Sequence, residues 1–294
     1  MDTIGGHMFF NRLKTVILLA SLSGLFFLLG YWAGGKSGLI FAFIFSMIMN
    51  FVTYFFSDKM VLAMYKAQPL NPEKFADIYA MVKELCFRAE IPMPKLWYIP
   101  TSMANAFATG RNPKHASIGV TQGILDILEP NELRGVLAHE ISHIKNRDIL
   151  IGTVAATIAT AIGYIAHMLQ WAAFFGGGRN DRDRSHGIGA LIAALIMPLA
   201  AMLIQLAITR SREYLADETG AKCCHDPLAL ASALEKLHDQ TSQEHREPTS
   251  NAQTAMASLF IVYPFSGSSI INLFSTHPPM EKRVARLRQM VGKI

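Results

Sequence analysis

Four apolar blocks decide what this chain can fold into: residues 16–33, 39–56, 149–175 and about 187–208. At 1.5 Å per residue, a helix of about 20 residues crosses the ~30 Å hydrocarbon core of a bilayer. A helix also satisfies every backbone polar group internally, as lipid demands. Hydrophobic residues are 51% of the 294 and charged residues 17%, with a mean hydropathy of +0.26. The apolar excess is concentrated in the blocks, so a polytopic membrane protein with four transmembrane helices in two hairpins is expected. A signal peptide is the competing reading of the first block. Its length, the lack of a small-x-small cleavage site and the immediate second block argue against that.

Within the first hairpin, Gly34-Gly35-Lys36-Ser37-Gly38 reads as a tight turn. Tyr54, Phe55 and Phe56 close the second block as an aromatic end. Asn50 lies inside that block and is read as an interhelical hydrogen-bonding residue rather than a transport group. His167, Gln170 and Trp171 mark an interfacial end of the third block. Residues 1–10 are expected to lack regular structure.

The net charge of +5 and pI near 9.1 invite a nucleic-acid reading, but the basic residues form no long stripe and flank the apolar blocks instead. Arg12, Lys14, Lys59, Lys66, Lys145, Arg147, Arg210 and Arg212 fall on one side of the expected membrane. Lys36, Arg179, Arg182 and Arg184 fall on the other, offset by Asp181 and Asp183. The first group is larger, so both polar segments should face the cytoplasm. Cys86, Cys223 and Cys224 form no disulfide framework and no C-x-x-C, which suits a reducing compartment.

The organisation that follows is an N-terminal segment with a transmembrane hairpin (1–56), a polar half (57–148), a second hairpin (149–208) and a second polar half (209–294). In the first polar half, residues 72–90 show helical periodicity and Lys95-Leu96-Trp97-Tyr98-Ile99 is strand-like. Residues 104–109 and 115–121 read as an extended pair joined by a turn at 110–114, and 122–128 as a short helix. In the second, 211–223, 228–238 and 281–291 read as helices, and the polar run 240–254 as a mobile lid.

A helix over Val136–His143 would carry His139-Glu140-Ile141-Ser142-His143. Residues at i and i+4 share a helical face, so His139 and His143 can aim at one metal ion, with Glu140 placed to deprotonate the water that the metal activates. A catalytic zinc needs a third protein ligand. The metzincin extension is absent, since Ile144, Lys145, Asn146, Arg147 and Asp148 follow His143. The alternative is a carboxylate from another helix. Glu213 and Asp217 share a face in Arg210-Ser211-Arg212-Glu213-Tyr214-Leu215-Ala216-Asp217. Glu213 can ligate while Asp217 orients a ligand histidine through its other ring nitrogen. His143 precedes the second hairpin and Glu213 follows it, and a helical hairpin returns its second end beside its first.

With Asn105-Ala106-Phe107-Ala108 and Thr276-His277-Pro278-Pro279 added, the chain resembles the HtpX family of membrane metalloproteases, related to the CAAX prenyl proteases. The resemblance implies a mostly α fold with a zincin-like (gluzincin) α+β catalytic domain and a small antiparallel sheet. It implies one zinc per chain on His139, His143 and Glu213, with Glu140 as general base and then acid. It also implies an endopeptidase for damaged membrane proteins in the stress response, on the cytoplasmic side of a bacterial inner membrane, with protein substrates, a lipid bilayer and no nucleic acid as partners.

Other residues keep two readings. Asn105, Ala106 and Phe107 could be an edge strand that pairs with substrate, or Asn105 could stabilise a turn. His277 could donate to an oxyanion, brace Asp217, or be a buried structural histidine. Arg283 could pair with a carboxylate near the site. His115, His225, His238 and His245 lack ligand spacing. An intramembrane protease would carry its motif inside an apolar span, whereas here Asn131, Glu132, Arg134, Lys145, Asn146, Arg147 and Asp148 flank it. A zinc-binding scaffold without activity is the reading from another class.

Overall fold

The computed structural model describes residues 3–155, 157–158, 210–244, 259–261 and 278–293. His277, His245, most of the third apolar block, the fourth block and residues 245–254 of the expected lid lie outside the described residues.

Helix α1 (Thr3–Met64) is two helical arms joined where Gly34 (φ −145°, ψ 16°) and Gly35 (φ 57°, ψ −134°) leave helical space. Gly35 adopts a conformation open to glycine and closed to most L-residues. The arms pack on each other. Phe26 meets Phe45 edge-on at 5.0 Å between ring centroids, and Asn50 Nδ2 donates to Ser23 Oγ at 2.8 Å. Asn50 thus makes the interhelical bond expected of it. The second arm, Gly34–Met64, is long and apolar enough to cross a membrane, and Leu13–Leu28 is a shorter apolar stretch. Ile40, Phe41, Phe43 and Met47 point outward from the second arm and are each more than half exposed. A face this apolar and this exposed suits lipid rather than water.

Two boundaries differ from expectation. The helix begins at Thr3, within the stretch expected to be irregular, and it continues past Phe56 to Met64. Ile4, Met8, Phe9 and Phe10 extend an already formed helix at small entropic cost. At the other end, Val61 and Leu62 are held by packing on Ile99 and Phe107.

A four-stranded sheet follows: β1 (Gln68–Pro69), β2 (Lys95–Ile99), β3 (Ala106–Gly110) and β4 (Ala116–Thr121), in spatial order β1-β2-β4-β3. The sheet is mixed, which corrects the expected antiparallel one. β3 and β4 form the expected antiparallel hairpin, but β4 then inserts beside β2 and runs parallel to it. The chain between β2 and β4 is long enough for a parallel connection because β3 itself makes the return journey. β3 is left at the edge of the sheet.

Around the sheet stand α2 (Ala76–Ala89), α3 (Gln122–Ile127), α4 (Pro130–Lys145), α5 (Arg210–Cys224), α6 (Pro227–Glu244) and α7 (Met280–Arg288). Residues 149–155 are helical and, apart from the half-buried Leu150, buried, beginning three residues after α4. α6 extends through Glu244, into the run expected to be a mobile lid. α4 is the centre of the packing. Leu133, Val136, Leu137, Ala138, Ile141 and Ile144 are all buried in one core with Leu85, Ile118 and Leu230. The cysteines are unpaired, as expected.

The start of α4 is fixed by Glu132. Its Oε2 accepts from the Glu129 N–H at 2.9 Å and from Lys236 Nζ at 2.8 Å, and its Oε1 accepts from Ser232 Oγ at 2.7 Å. Burial alone would raise this carboxyl, but the Lys236 and Ser232 donors hold it below its ordinary value of 4.5. A carboxyl depressed by folding contributes stability above its unfolded value and loses that contribution as pH falls through the folded one. Glu132→Gln is therefore expected to melt below wild type at neutral pH, the gap closing as pH drops below about 4. Melting curves across pH test this, and a gap of constant size would refute it.

Candidate active site

His139 and His143 rise from the same face of α4, which is buried on nearly all sides. Their Nε2 atoms are 3.2 Å apart, and their rings meet edge to face at 89°. Glu213, from the first turn of α5, closes the triangle. Its Oε2 lies 3.7 Å from His139 Nε2 and its Oε1 3.7 Å from His143 Nε2. Among the described residues this is the group of side chains placed to share a metal ion. Ligand atoms bound at about 2.1 Å around a tetrahedral zinc lie about 3.4 Å from one another, so the spacing fits, and two histidines with one carboxylate form a known catalytic set.

The approach of α5 to α4 rests on a glycine. A Cβ on Gly220 would stand 2.9 Å from the His139 backbone nitrogen and 3.0 Å from its Cα. Glu213, Asp217 and Gly220 recur at i, i+4 and i+7, so one stripe of α5 carries the cage carboxylate, the carboxylate beside His139 and the contact point.

Asp217 Oδ1 lies 3.0 Å from His139 Nδ1. The fully buried Arg283 of α7 grips Asp217 with both arms of its fork, Nη2 to Oδ1 at 2.6 Å and Nε to Oδ2 at 2.8 Å. Burial works to raise the Asp217 carboxyl, but the Arg283 guanidinium overrides it and holds the group at about 2. Arg283 thus has the carboxylate partner expected of it. Burial depresses His139, keeping its imidazole neutral and ready to ligate.

Glu140 Oε2 accepts from the Ala108 N–H of strand β3 at 2.8 Å. Burial pushes its carboxyl up to about 7, with the nearby Glu213 carboxylate adding to the rise. A base poised near neutrality can both take and return a proton. His143 goes the other way from His139. Burial would lower it, yet the carboxylates of Asp148 and Glu213 carry it up to about 9. The pocket therefore favours positive charge at this nitrogen. Its buried charged groups are Glu140, Glu213, Asp217 and Asp148 against Arg212 and Arg283, which leaves two negative charges in excess when all are ionised. A divalent cation balances that excess.

The site opens into a cavity of about 60 Å³ lined by the ligands, Glu140, Phe107, Ala108, Ile149, Gly152 and Leu259–Ile261. Asn105 is buried beside the cavity rather than in it. Its backbone pairs with Thr121, and its Oδ1 accepts from the Ile261 N–H at 3.1 Å. Arg283 Nη1 donates to the Ile261 carbonyl at 3.0 Å. Phe107 reaches the cavity wall and its ring lies 5.2 Å from that of Tyr65, while Ala106 is buried in β3.

Four participants carried little sequence signal. Asp148, whose Oδ2 lies 3.2 Å from His143 Nδ1, was visible only as an acid five residues past that histidine. Arg212 and Ile261 touch the site from segments remote in sequence. The Ala108 N–H is a backbone group that any residue would supply.

A buried carboxyl beside a two-histidine, one-carboxylate cage is the arrangement of a metallopeptidase. The pattern of peptidase family M48 matches residues 72–291, and the chain belongs to that family. It is 52% identical over 283 residues to a Protease HtpX homolog of Syntrophobacter fumaroxidans, covering 95% of this chain and 99% of the relative. To a Protease HtpX homolog of Persephonella marina it is 53% identical over 286 residues, covering 97% and 99%. One from Thermococcus sibiricus is 50% identical over 281 residues, with 95% of each chain covered. The crystal structure of S. mikatae Ste24p shares the fold, with a TM-score of 0.50 at 16% identity, covering 98% of this chain and 67% of that one.

Gly220→Ala should force α5 away from His139, costing about 1–3 kcal/mol through overpacking, and should weaken metal binding. Thermal melting and chelator competition check both effects, and no change in either would refute the close contact. Arg283→Met strands the buried Asp217 carboxylate at a cost of about 3–5 kcal/mol. Adding Asp217→Asn should recover part of that loss in denaturant titrations.

Proposed function

We propose that this protein is a zinc-dependent endopeptidase, anchored by four spans, that cuts polypeptides exposed at the cytoplasmic face of a bacterial inner membrane. Damaged and misfolded membrane proteins are the substrate class. The observation that carries this reading is Glu140, buried and tethered by Ala108, beside the cage of His139, His143 and Glu213. The names of the relatives support the protease reading. The exposed apolar second arm of α1 supports the anchor. The proposed division is a hairpin (1–56), a catalytic half (57–148), a second hairpin (149–208) and a second catalytic half (209–294), and the 3.0 Å contact of Arg212 with Asp148 across the second hairpin supports it.

His139, His143 and Glu213 would hold the zinc, which when bound supplies Lewis acidity toward a water and the scissile carbonyl. Glu140 takes the proton from the attacking water and later gives it to the leaving amine. The Ala108 N–H fixes one Glu140 oxygen and leaves the other to work. Asp217 and Arg283 hold the His139 ring in place. In β3 the register turns the backbones of Phe107 and Thr109 toward β4, so those of Ala106 and Ala108 face the free edge, where an extended peptide can add as a strand. His277, which lies outside the described residues, stays a candidate donor to the developing oxyanion on its sequence context alone.

Zinc analysis paired with cleavage of casein tests the reading. Glu140→Gln should retain about one zinc per chain as wild type does, and should lose cleavage by a factor of about 10²–10⁴. Full activity in that variant, or a wild type that binds no zinc, would overturn the proposal.

A further inference from the structure

We propose that Asp148 is a positioning residue for the metal ligand His143, and that Arg212 clamps Asp148 in that place. The inference rests on the zinc reading above and extends it to the second histidine. Each ligand histidine carries the same three-part chain. His139 has Asp217 at its Nδ1 and Arg283 behind that carboxylate. His143 has Asp148 Oδ2 at 3.2 Å from its Nδ1. Arg212 stands behind Asp148, with Nη2 donating to its carbonyl at 3.0 Å and Nε 3.4 Å from its Oδ1. Asp148 and Arg212 are both buried, which limits the competition of water for these contacts.

The backbone is bent to make this arrangement. Arg147, between α4 and Asp148, has φ +62°, a left-handed conformation that costs a non-glycine residue free energy. That turn lets the Asp148 N–H donate to the His143 carbonyl at 2.9 Å, which brings the carboxylate back beside the imidazole of its own helix. Arg212 immediately precedes Glu213, so one turn of α5 delivers the third ligand and the clamp together. A carboxylate on Nδ1 fixes the tautomer that leaves Nε2 free to ligate, and it strengthens the imidazole as a donor. The two chains differ in tightness. Arg283 forks across both Asp217 oxygens, while Arg212 shares itself between the carbonyl and one oxygen of Asp148, so the Asp148 clamp is the looser of the two.

The experiment is chelator competition for zinc on the full-length protein in detergent, comparing wild type with Asp148→Asn, Asp148→Ala and Arg212→Gln. Melting of the zinc-free forms and visible spectra of the cobalt(II)-substituted forms accompany it. Asp148→Ala should weaken zinc binding about 10- to 100-fold. Asp148→Asn, which keeps an acceptor oxygen but no charge, should fall between it and wild type, and Arg212→Gln should lose less than Asp148→Ala. The cobalt spectrum should change in both Asp148 variants. If Asp148→Ala does not fold, the near-isosteric Asp148→Asn decides. Zinc affinity unchanged in the Asp148 variants that fold, with an unaltered cobalt spectrum, overturns the proposal whatever the melting temperatures, because a residue that only supports the fold would give that result. A wild type that binds no zinc overturns this inference and the proposed function together, whereas tight wild-type binding with indifferent variants overturns only the inference.

Discussion

Crowded, buried negative charge is the constraint on which the rest of this structure depends. Glu140, Glu213, Asp217 and Asp148 are each under one-twentieth exposed, and ionised carboxylates taken from water are costly unless paired. The chain meets the cost from several directions. Arg283 arrives on α7 to hold Asp217, Arg212 precedes Glu213 to hold Asp148, and the Ala108 N–H crosses from the sheet to hold Glu140. The charge still left over is what a metal ion held by the cage would balance. The same excess explains why the two histidines diverge. His143, surrounded by carboxylates, is driven up to about 9, while His139, where burial dominates, is driven down.

Bringing those charges together is a packing problem before it is an electrostatic one. α4 and α5 must approach closely enough for one carboxylate to face two imidazoles, and Gly220 removes the side chain that would prevent it. The helices are then tied at their far ends. Arg134 Nη1 donates to the Cys224 carbonyl at 2.9 Å, and Glu132 is bonded to Ser232 and Lys236 of α6. The rigid element here is a cluster of helices stapled by buried polar contacts, with the sheet contributing one edge strand to the chemistry. The cage geometry is therefore a property of the helix–helix interface, and small shifts of α5 move Glu213 and the Asp217 contact together.

The parts legible in the sequence were those whose spacing maps onto one element. His139 and His143 at i and i+4, Glu213 and Asp217 at i and i+4, the 95–99 strand and the 106–121 hairpin all follow from helical or strand periodicity, and each sits where that periodicity puts it. What was not legible depends on tertiary placement. The parallel pairing of β2 with β4 is decided by which side of β4 the earlier strand packs on, not by the composition of either strand. The run of α1 to Met64 is decided by Val61 and Leu62 finding Ile99 and Phe107. Asp148 looked like a helix-flanking charge until the left-handed Arg147 turned it back toward His143. The Ala108 N–H and the Ile261 backbone have no side-chain signature, so no pattern of residue types could announce them.

Glu140 shows how these contributions combine into function. Its carboxyl is pulled in both directions. Burial and the Glu213 carboxylate raise it, while His143, Arg283 and the Ala108 N–H lower it, and the balance falls at about 7. Were burial the only influence, the group would be a poor base at neutral pH. Were the cations dominant, it would ionise readily but return a proton to a leaving amine only weakly. The Ala108 bond does more than adjust that balance. It occupies one oxygen of the carboxyl and takes its direction from the edge strand, so the orientation of the base is set by the same backbone that can align an extended peptide. Proton transfer at Glu140 and strand pairing at β3, as proposed, would share one point of reference, and misplacing β3 by one residue would disturb both at once, because the side-chain period of a strand is two and a single-residue slip reverses every group along it.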